Sequence, residues 1–251
     1  MEYLDQNQRD TILQAFDEFA GDHGYWPSVP IFSLRDTRTW ILREISQIKA
    51  GARVLDLGSG RGSPWGGVLT STGGSWSGVD LHESTEDGYR RGSHDSIPFG
   101  DNIFDVVATF DVVEHFENPD LMFREIHRVL KPEGVWFGSC AFWQKEHHSF
   151  VHFTHRGLRA FLERNGFEVV TIEPTPATGI HLVFQRYWGG SGRIDKSSPR
   201  ARVQTFALGA ATAPLLYFVS LAEGLRRFLG LDKDPFAYCA GLNFRAIAKT
   251  P

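Results

Sequence analysis

Apolar positions along this chain switch repeatedly between the helical and the strand period. Over residues 11–19 they fall at 12, 13, 16 and 19, which predicts a helix. After the breaker Tyr25-Trp26-Pro27-Ser28-Val29-Pro30, a second helix is expected from near Asp36 to about Lys49, with Gly51 as its stop. Short apolar runs then predict strands at 53–57, 75–80, 104–110, 135–139, 167–172 and roughly 241–249. A further short strand is expected just before Asp95, after a turn over 83–91. Between them fall helices at 66–71, 119–129 and 154–165, the last capped by Gly166. The 119–129 helix should turn Leu121, Ile126, Val129 and Leu130 to the core and stop at Lys131-Pro132-Glu133-Gly134. Strands alternating with helices predict a parallel sheet covered on both faces, its last strand closing one edge.

Length changes this picture little: 251 residues can bury one full core. A single domain is expected, with a helical cap over 1–50, a core over 51–173, a lid or insertion over 174–235 and the last strand within 236–251. The composition, 41% hydrophobic and 22% charged, is that of a soluble globular protein. The net charge of −4 argues against a nucleic-acid partner, which calls for a basic face. The basic stretch from Lys196 to Arg202 reads as a solvated loop. Cys140 and Cys239 are too few and too distant for a metal knuckle or a redox CxxC. A reduced, cytoplasmic protein is expected, with a long-range disulfide as the alternative. The opening Met-Glu-Tyr-Leu-Asp-Gln has no basic region followed by an apolar run, so no secretory signal is expected. Residues 203–222 lack charge over a length that could cross a bilayer. They hold Gln204, Thr205, Gly209, Thr212, Pro214 and Ser220, and the proline breaks or kinks a helix. A buried or partner-facing helix is expected there, and peripheral membrane contact is the alternative.

The candidate chemistry begins after the first strand, at Gly58-Ser59-Gly60-Arg61-Gly62. In open α/β sheets ligands sit beyond the carboxyl ends of the strands, at the switch point of strand order. Glycines there permit a tight turn and close backbone approach. A helix starting near Ser63-Pro64 would aim free N–H groups at a carboxylate. The phosphate-binding alternatives fail. A G-x-G-x-x-G pattern puts Ser63 or Trp65 where the third glycine belongs, and no P-loop Lys follows. Asp80 ends the second apolar run, where a carboxylate can accept both hydroxyls of a ribose. Asp95, after the third strand, can accept a hydrogen bond from an exocyclic adenine amine. Taken singly, each acid also reads as an ordinary turn or cap residue.

Together, VLDLGSGRG, GVD and HDSIPFGDNIFDVVATFDVVEHFENPDLMFREIHRVLKPEGV resemble class I S-adenosylmethionine-dependent methyltransferases of the type 11 group, over roughly residues 50–173. The resemblance implies a Rossmann-like α/β fold: a seven-stranded, mostly parallel sheet sandwiched by helices, with N-terminal helices and a helical insertion before the last strand. It also implies S-adenosylmethionine as cofactor. The methionine end would lie on Gly58, Ser59, Gly60 and Gly62 with help from Asp56. The ribose would lie on Asp80 beside Leu81, the adenine on Asp95 and Ser96, and Phe110 and Asp111 would line the site. Two departures stand out. Only 14 residues separate Asp80 from Asp95, too few for a full helix, and Arg61-Gly62 replaces the group's small polar-Thr pair.

Methyl transfer needs positioning first, with a base for an oxygen or nitrogen nucleophile that carries a proton. Candidates are His115, after the fourth strand, and His147, His148 and His152, after the fifth. The stretch from Ala141 to Thr154 resembles the acceptor-facing loop of one bacterial branch of the group. His148 and His152 sit four apart, yet no Cys and no carboxylate pair completes a metal site, so no metal is expected. The residues leave open which histidine serves as a base, or whether they only support the loop. The expected reaction is methyl transfer to a small molecule, at oxygen or nitrogen rather than carbon. Gln185-Arg186-Tyr187-Trp188 and the apolar 203–222 segment would suit a large or partly apolar acceptor. The alternative is a non-catalytic protein that keeps the fold and the cofactor.

Overall fold

The computed structural model describes residues 37–60, 73–82, 88–93, 95–142, 148–175, 229, 236, 239 and 241–250. The expected helices at 11–19 and 66–71, the helix start at Ser63-Pro64 and the 203–222 segment lie outside the described residues, as do Gly62 and His147. Helix α1 (Thr37–Ile45) precedes strands β1 (Arg53–Leu57), β2 (Ser75–Asp80), β3 (Tyr89–Arg91) and β4 (Phe104–Phe110). Then come a 3-10 turn (Val113–His115), helix α2 (Pro119–Val129), β5 (Leu130–Ala141), helix α3 (His155–Arg164), β6 (Phe167–Pro174) and β7 (Gly241–Ala248). The strands form one sheet of order β3-β2-β1-β4-β5-β7-β6. All pairs are parallel except those of β7, which runs antiparallel to both β5 and β6.

Alternation along the strands divides the core into two layers. Val54, Val106, Ala108 and Phe137 pack on Trp40, Ile41 and Ile45 of α1. Leu55, Leu57, Val107, Trp136, Phe244 and Ala246 face Met122, Phe123 and Ile126 of α2 and Leu158 and Leu162 of α3. Phe123 and Trp136 meet edge to face at 4.8 Å. The sandwich expected from the sequence is the observed one. On the α1 side, buried Glu44 accepts from Arg245 of β7 at 2.6 Å, tying helix to sheet.

Several expectations need correcting. The last strand does not close an edge: β7 lies between β5 and β6, and β6 is the outer strand. The third strand, Tyr89–Arg91, ends four residues before Asp95, inside what reads as turn in the sequence. Strand β5 starts at Leu130 rather than 135, and its Lys131–Gly134 stretch makes a bulge against β4, with Glu133 at φ 64°. Helix α1 ends at Ile45, where the Ser46 hydroxyl donates to the Arg43 carbonyl. Leu121 does not face the core. It is 42% exposed on the first turn of α2, whereas its neighbours Met122 and Phe123 are buried. Both cysteines are buried free thiols. Among the described residues no helix is long and apolar enough to cross a membrane.

Arg128, on the last turn of α2, holds the segment after β3. It donates to Glu125 at 2.7 Å, to Asp101 at 2.8 Å and to the carbonyls of Phe99 and Ile97. Glu125 in turn accepts from the Ile97 N–H at 3.0 Å. The hydrogen bond from Arg128 holds the Glu125 carboxyl below the usual carboxylate range, against the opposing effect of burial. A carboxyl depressed on folding stabilises above its unfolded pKa, and that stabilisation is lost as pH falls through the folded value. Arg128→Ala should therefore cost about 1–3 kcal/mol at neutral pH. The penalty should shrink below about pH 4, where unfolded carboxylates protonate. Urea titrations of both proteins from pH 3 to pH 7 measure it; a pH-independent difference would mean that the two carbonyls, not Glu125, carry the effect.

Candidate functional site

The turn after β1 is laced onto the end of β2. Gly58 N–H donates to the Val79 carbonyl at 2.8 Å and Ser59 N–H to the same oxygen at 3.3 Å. Gly60 N–H donates to Asp80 Oδ2 at 2.9 Å, and the other oxygen of Asp80 accepts from His82 N–H at 3.0 Å. Each carboxylate oxygen has two lone pairs, so Asp80 is oriented by backbone yet keeps accepting capacity. Gly58 and Gly60 both have positive φ, +83° and +70°. They differ in surroundings: a Cβ at Gly58 would press on the Val112 side chain, whereas among the described residues one at Gly60 would meet nothing within 4 Å. Asp56 is buried one residue before the end of β1, and exposed Leu81 directly follows Asp80.

Across the switch point, β4 ends at Phe110 and the chain turns sharply at Asp111, whose φ is 52°. Ser139 of β5 secures that turn. Its carbonyl and hydroxyl oxygens accept from Asp111 N–H, and its hydroxyl donates to Asp111 Oδ1 at 3.0 Å. Asp95 and Ser96 sit exposed on a tight turn, where Ser96 N–H donates to the Ser93 carbonyl and the Ser93 hydroxyl donates to Asp95. Beside them opens a cleft of about 410 Å³ lined by Asp95, Glu117, Asn118 and Leu121. A smaller hollow of about 180 Å³ lies at the other end of the strands, near Lys131 and Lys249, away from these groups.

The histidines separate clearly. His115 is half-buried at the end of the 3-10 turn, its Nδ1 3.2 Å from the His148 carbonyl. His148 and His152 are exposed, and His152 Nε2 lies 2.8 Å from the Ser149 hydroxyl. Among the described residues no cluster of His, Cys, Asp and Glu is arranged for a metal ion.

Three residues that shape the site go unremarked in the sequence reading. Val112 packs on Gly58, and Ser139 holds Asp111. Glu114, fully buried, joins the turn after β4 to the loop after β5: its Oε1 accepts from Ala141 N–H, and its carbonyl accepts from Phe150 and Val151 N–H. The available signal is a carboxylate flanked by apolar residues in Val112-Val113-Glu114-His115-Phe116.

Residues 55–137 match the family model described as a methyltransferase domain, type 11. That stretch is what the chain shares with this methyltransferase family. The Gly-turn and β2-end contacts given above fall within the matched domain, and those after β4 reach from it to β5 and to the loop at 148–151. The chain is also 28% identical over 147 residues to the methyltransferase GfsG of Streptomyces halstedii, covering 51% of this chain and 53% of that one. It is 31% identical over 104 residues to the sterol 24-C-methyltransferase ERG6B of Gibberella zeae, covering 36% and 27%. The match thus spans about half or less of these relatives. Among solved structures, the [4+2]-cyclase SpnF aligns over 98% of this chain and 95% of its own with a TM-score of 0.57 at 17% identity. The phosphoethanolamine N-methyltransferase 2 of Haemonchus contortus aligns over 100% and 60%, with a TM-score of 0.56 at 20% identity. At these identities the two structures establish the methyltransferase-type fold of the chain, and no more.

Proposed function

We propose that this chain transfers a methyl group from S-adenosylmethionine to a small-molecule acceptor, at oxygen or nitrogen. The observation that carries the reading is the joined turn, in which Gly60 N–H meets Asp80 Oδ2 at 2.9 Å. The residues fit the cofactor. Among the described residues Ser59 Oγ is buried without a hydrogen-bond partner, and none would stand within 4 Å of a Cβ at Gly60, which leaves backbone for a ligand to approach. When bound, the cofactor supplies an electrophilic methyl on a sulfonium. Gly58, Ser59 and Gly60, with Asp56 behind them and Gly62 beyond, are assigned to the methionine end. Asp80 and Leu81 are assigned to the ribose, Asp95 and Ser96 to the adenine, and Phe110 and Asp111 to the wall at the switch point.

The chain's own contribution is mostly placement. A displacement at carbon needs the nucleophile in line and close, and rigid positioning supplies much of the acceleration. Backbone hydrogen bonds hold Asp80, and Ser139 holds Asp111, so both acids are set before any ligand arrives. Residues 1–50 and 174–235 are assigned to shaping the acceptor side, for an acceptor that is large or partly apolar.

Calorimetric titration with S-adenosylmethionine tests the reading. The wild-type chain should bind it, and Asp80→Ala should bind about 100-fold more weakly, the worth of hydrogen bonds to a charged group. Failure of the wild type to bind removes the proposal. Tight binding with no transfer to oxygen, nitrogen or carbon acceptors favours a non-catalytic cofactor-binding protein.

A further inference from the structure

His115 meets the loop that carries His148 and His152, but the three histidines are held unequally. The Nδ1 of His115 stands 3.2 Å from a backbone carbonyl, that of His148. A carbonyl oxygen only accepts, so Nδ1 must carry the hydrogen. In the neutral ring the basic lone pair then belongs to Nε2. The carbonyl that imposes this tautomer is itself placed. His148 has φ 69°, and two residues later Phe150 N–H donates to the Glu114 carbonyl at 2.8 Å, with Val151 N–H on the same oxygen. Glu114 precedes His115, so one dipeptide carries both the imidazole and the clasp for the loop that orients it. His115 also follows Val112 by three residues, and Val112 is the side chain pressed against Gly58. The imidazole therefore belongs to the turn that abuts the cofactor turn. His148 and His152, by contrast, are exposed, and the Ser149 hydroxyl, 2.8 Å from His152 Nε2, can donate to that nitrogen or accept from it.

Phe150 adds the acceptor's character. The residue is 62% exposed although its backbone N–H is held by the Glu114 carbonyl, one residue before His115. An exposed phenylalanine on an anchored backbone offers an apolar surface on the loop clasped by that dipeptide.

We propose that His115 is the general base of the transfer, acting through Nε2 on a hydroxyl acceptor whose ring lies against Phe150. A neutral amine attacks with its own lone pair and gains little from a base, whereas a hydroxyl becomes a strong nucleophile only as its proton leaves. The acceptor oxygen forms its bond to the methyl carbon as the carbon–sulfur bond breaks, and the electron pair stays on sulfur, giving the thioether. The hydroxyl proton passes to His115 Nε2 and from there to water. This assignment rests on the methyltransferase reading.

Two measurements on the full chain test it. Long-range proton–nitrogen NMR of histidine-labelled protein reads the tautomer without any acceptor, with the His115 signals identified by their loss in His115→Asn. The Nδ1–H tautomer is expected; the Nε2–H tautomer overturns the proposal. With catechol as acceptor, whose hydroxyls stay protonated at neutral pH, His115→Ala and His115→Asn should each lower kcat about 100-fold or more, the usual worth of a general base. Added imidazole should restore part of the loss in His115→Ala. His115→Asn keeps a donor for the His148 carbonyl, so a purely structural histidine would be replaced by Asn with little loss, and that result overturns the assignment. A wild type that methylates 2-phenylethylamine but not catechol overturns the hydroxyl. Calorimetry with S-adenosylmethionine, unchanged within threefold in both variants, separates these failures from failure of the cofactor reading itself.

Discussion

Gly58→Ala should destabilise the protein by about 2–5 kcal/mol, the sum of two separable costs. The residue sits at φ +83°, where a side chain costs about 1–2 kcal/mol. Its new Cβ would also press on the two methyl carbons of Val112, and overpacking of that kind adds about 1–3 kcal/mol. Gly60→Ala isolates the first cost, since its φ is +70° but among the described residues nothing lies within 4 Å of its added Cβ. The double variant Gly58→Ala with Val112→Ala isolates the second, and should be less destabilised than the two single changes summed. Denaturant unfolding of the four proteins checks this. Equal costs at Gly58 and Gly60 would show that Val112 does not constrain the turn. Because Val112 leads into the 3-10 turn carrying His115, the Gly58 variant should also weaken cofactor binding more than the Gly60 variant does.

Glu114→Ala is expected to cost about 2–4 kcal/mol, from an orphaned Ala141 N–H and the cavity left by the side chain. Glu114 is fully buried, and its Oε1 accepts that N–H at 3.1 Å. Glu114→Gln keeps an acceptor of nearly the same shape and should recover much of the loss. A second readout lies one residue away. Burial pushes the Cys140 thiol up, with Glu114, Asp111 and Cys239 adding to the shift. In Glu114→Gln the thiol should ionise more readily, seen as faster alkylation of Cys140 at high pH. Limited proteolysis of Glu114→Ala should cut first within residues 148–153, the loop that the Glu114 backbone clasps. Intact protein under conditions that leave the wild type uncut would mean that Phe150 and Val151 hold the loop unaided.

The parts of the fold visible in the sequence are those whose signal is local. Helix α2 was legible in its bounds, from apolar residues such as Ile126 and Val129 at helical spacing, although its core face runs through Met122 and Phe123 rather than Leu121. Strand β4 was legible because seven consecutive residues are mostly apolar. Strand β3 was not, since Tyr89-Arg90-Arg91 lies at the sheet edge with two of its three side chains exposed. Lys131-Pro132-Glu133-Gly134 looks like a stop, and only pairing with β4 turns it into a bulge within β5. Leu121 is exposed because Met122, Phe123, Ile126 and Val129 set the buried face of α2, and the helical period carries Leu121 away from it. The site divides in the same way. Gly58, Gly60 and Asp80 follow strand ends and can be read from spacing. Val112, Ser139 and Glu114 matter through contacts spanning 27 to 28 residues or more, which no local pattern records.

The antiparallel place of β7 has a consequence for how such a chain can change. Pro174 pairs with Leu242, Thr175 N–H donates to the Gly241 carbonyl, and Gly241 N–H returns to the Thr175 hydroxyl at 2.8 Å. The excursion from 176 to 240 therefore leaves and re-enters the sheet at one sealed doorway. Doubling the length of a flexible excursion costs only about 0.6 kcal/mol in closure entropy. Insertions and exchanges beyond that doorway can accumulate with little penalty to the sheet, so a chain of this kind can vary between 176 and 240 while β5, β6 and β7 stay paired.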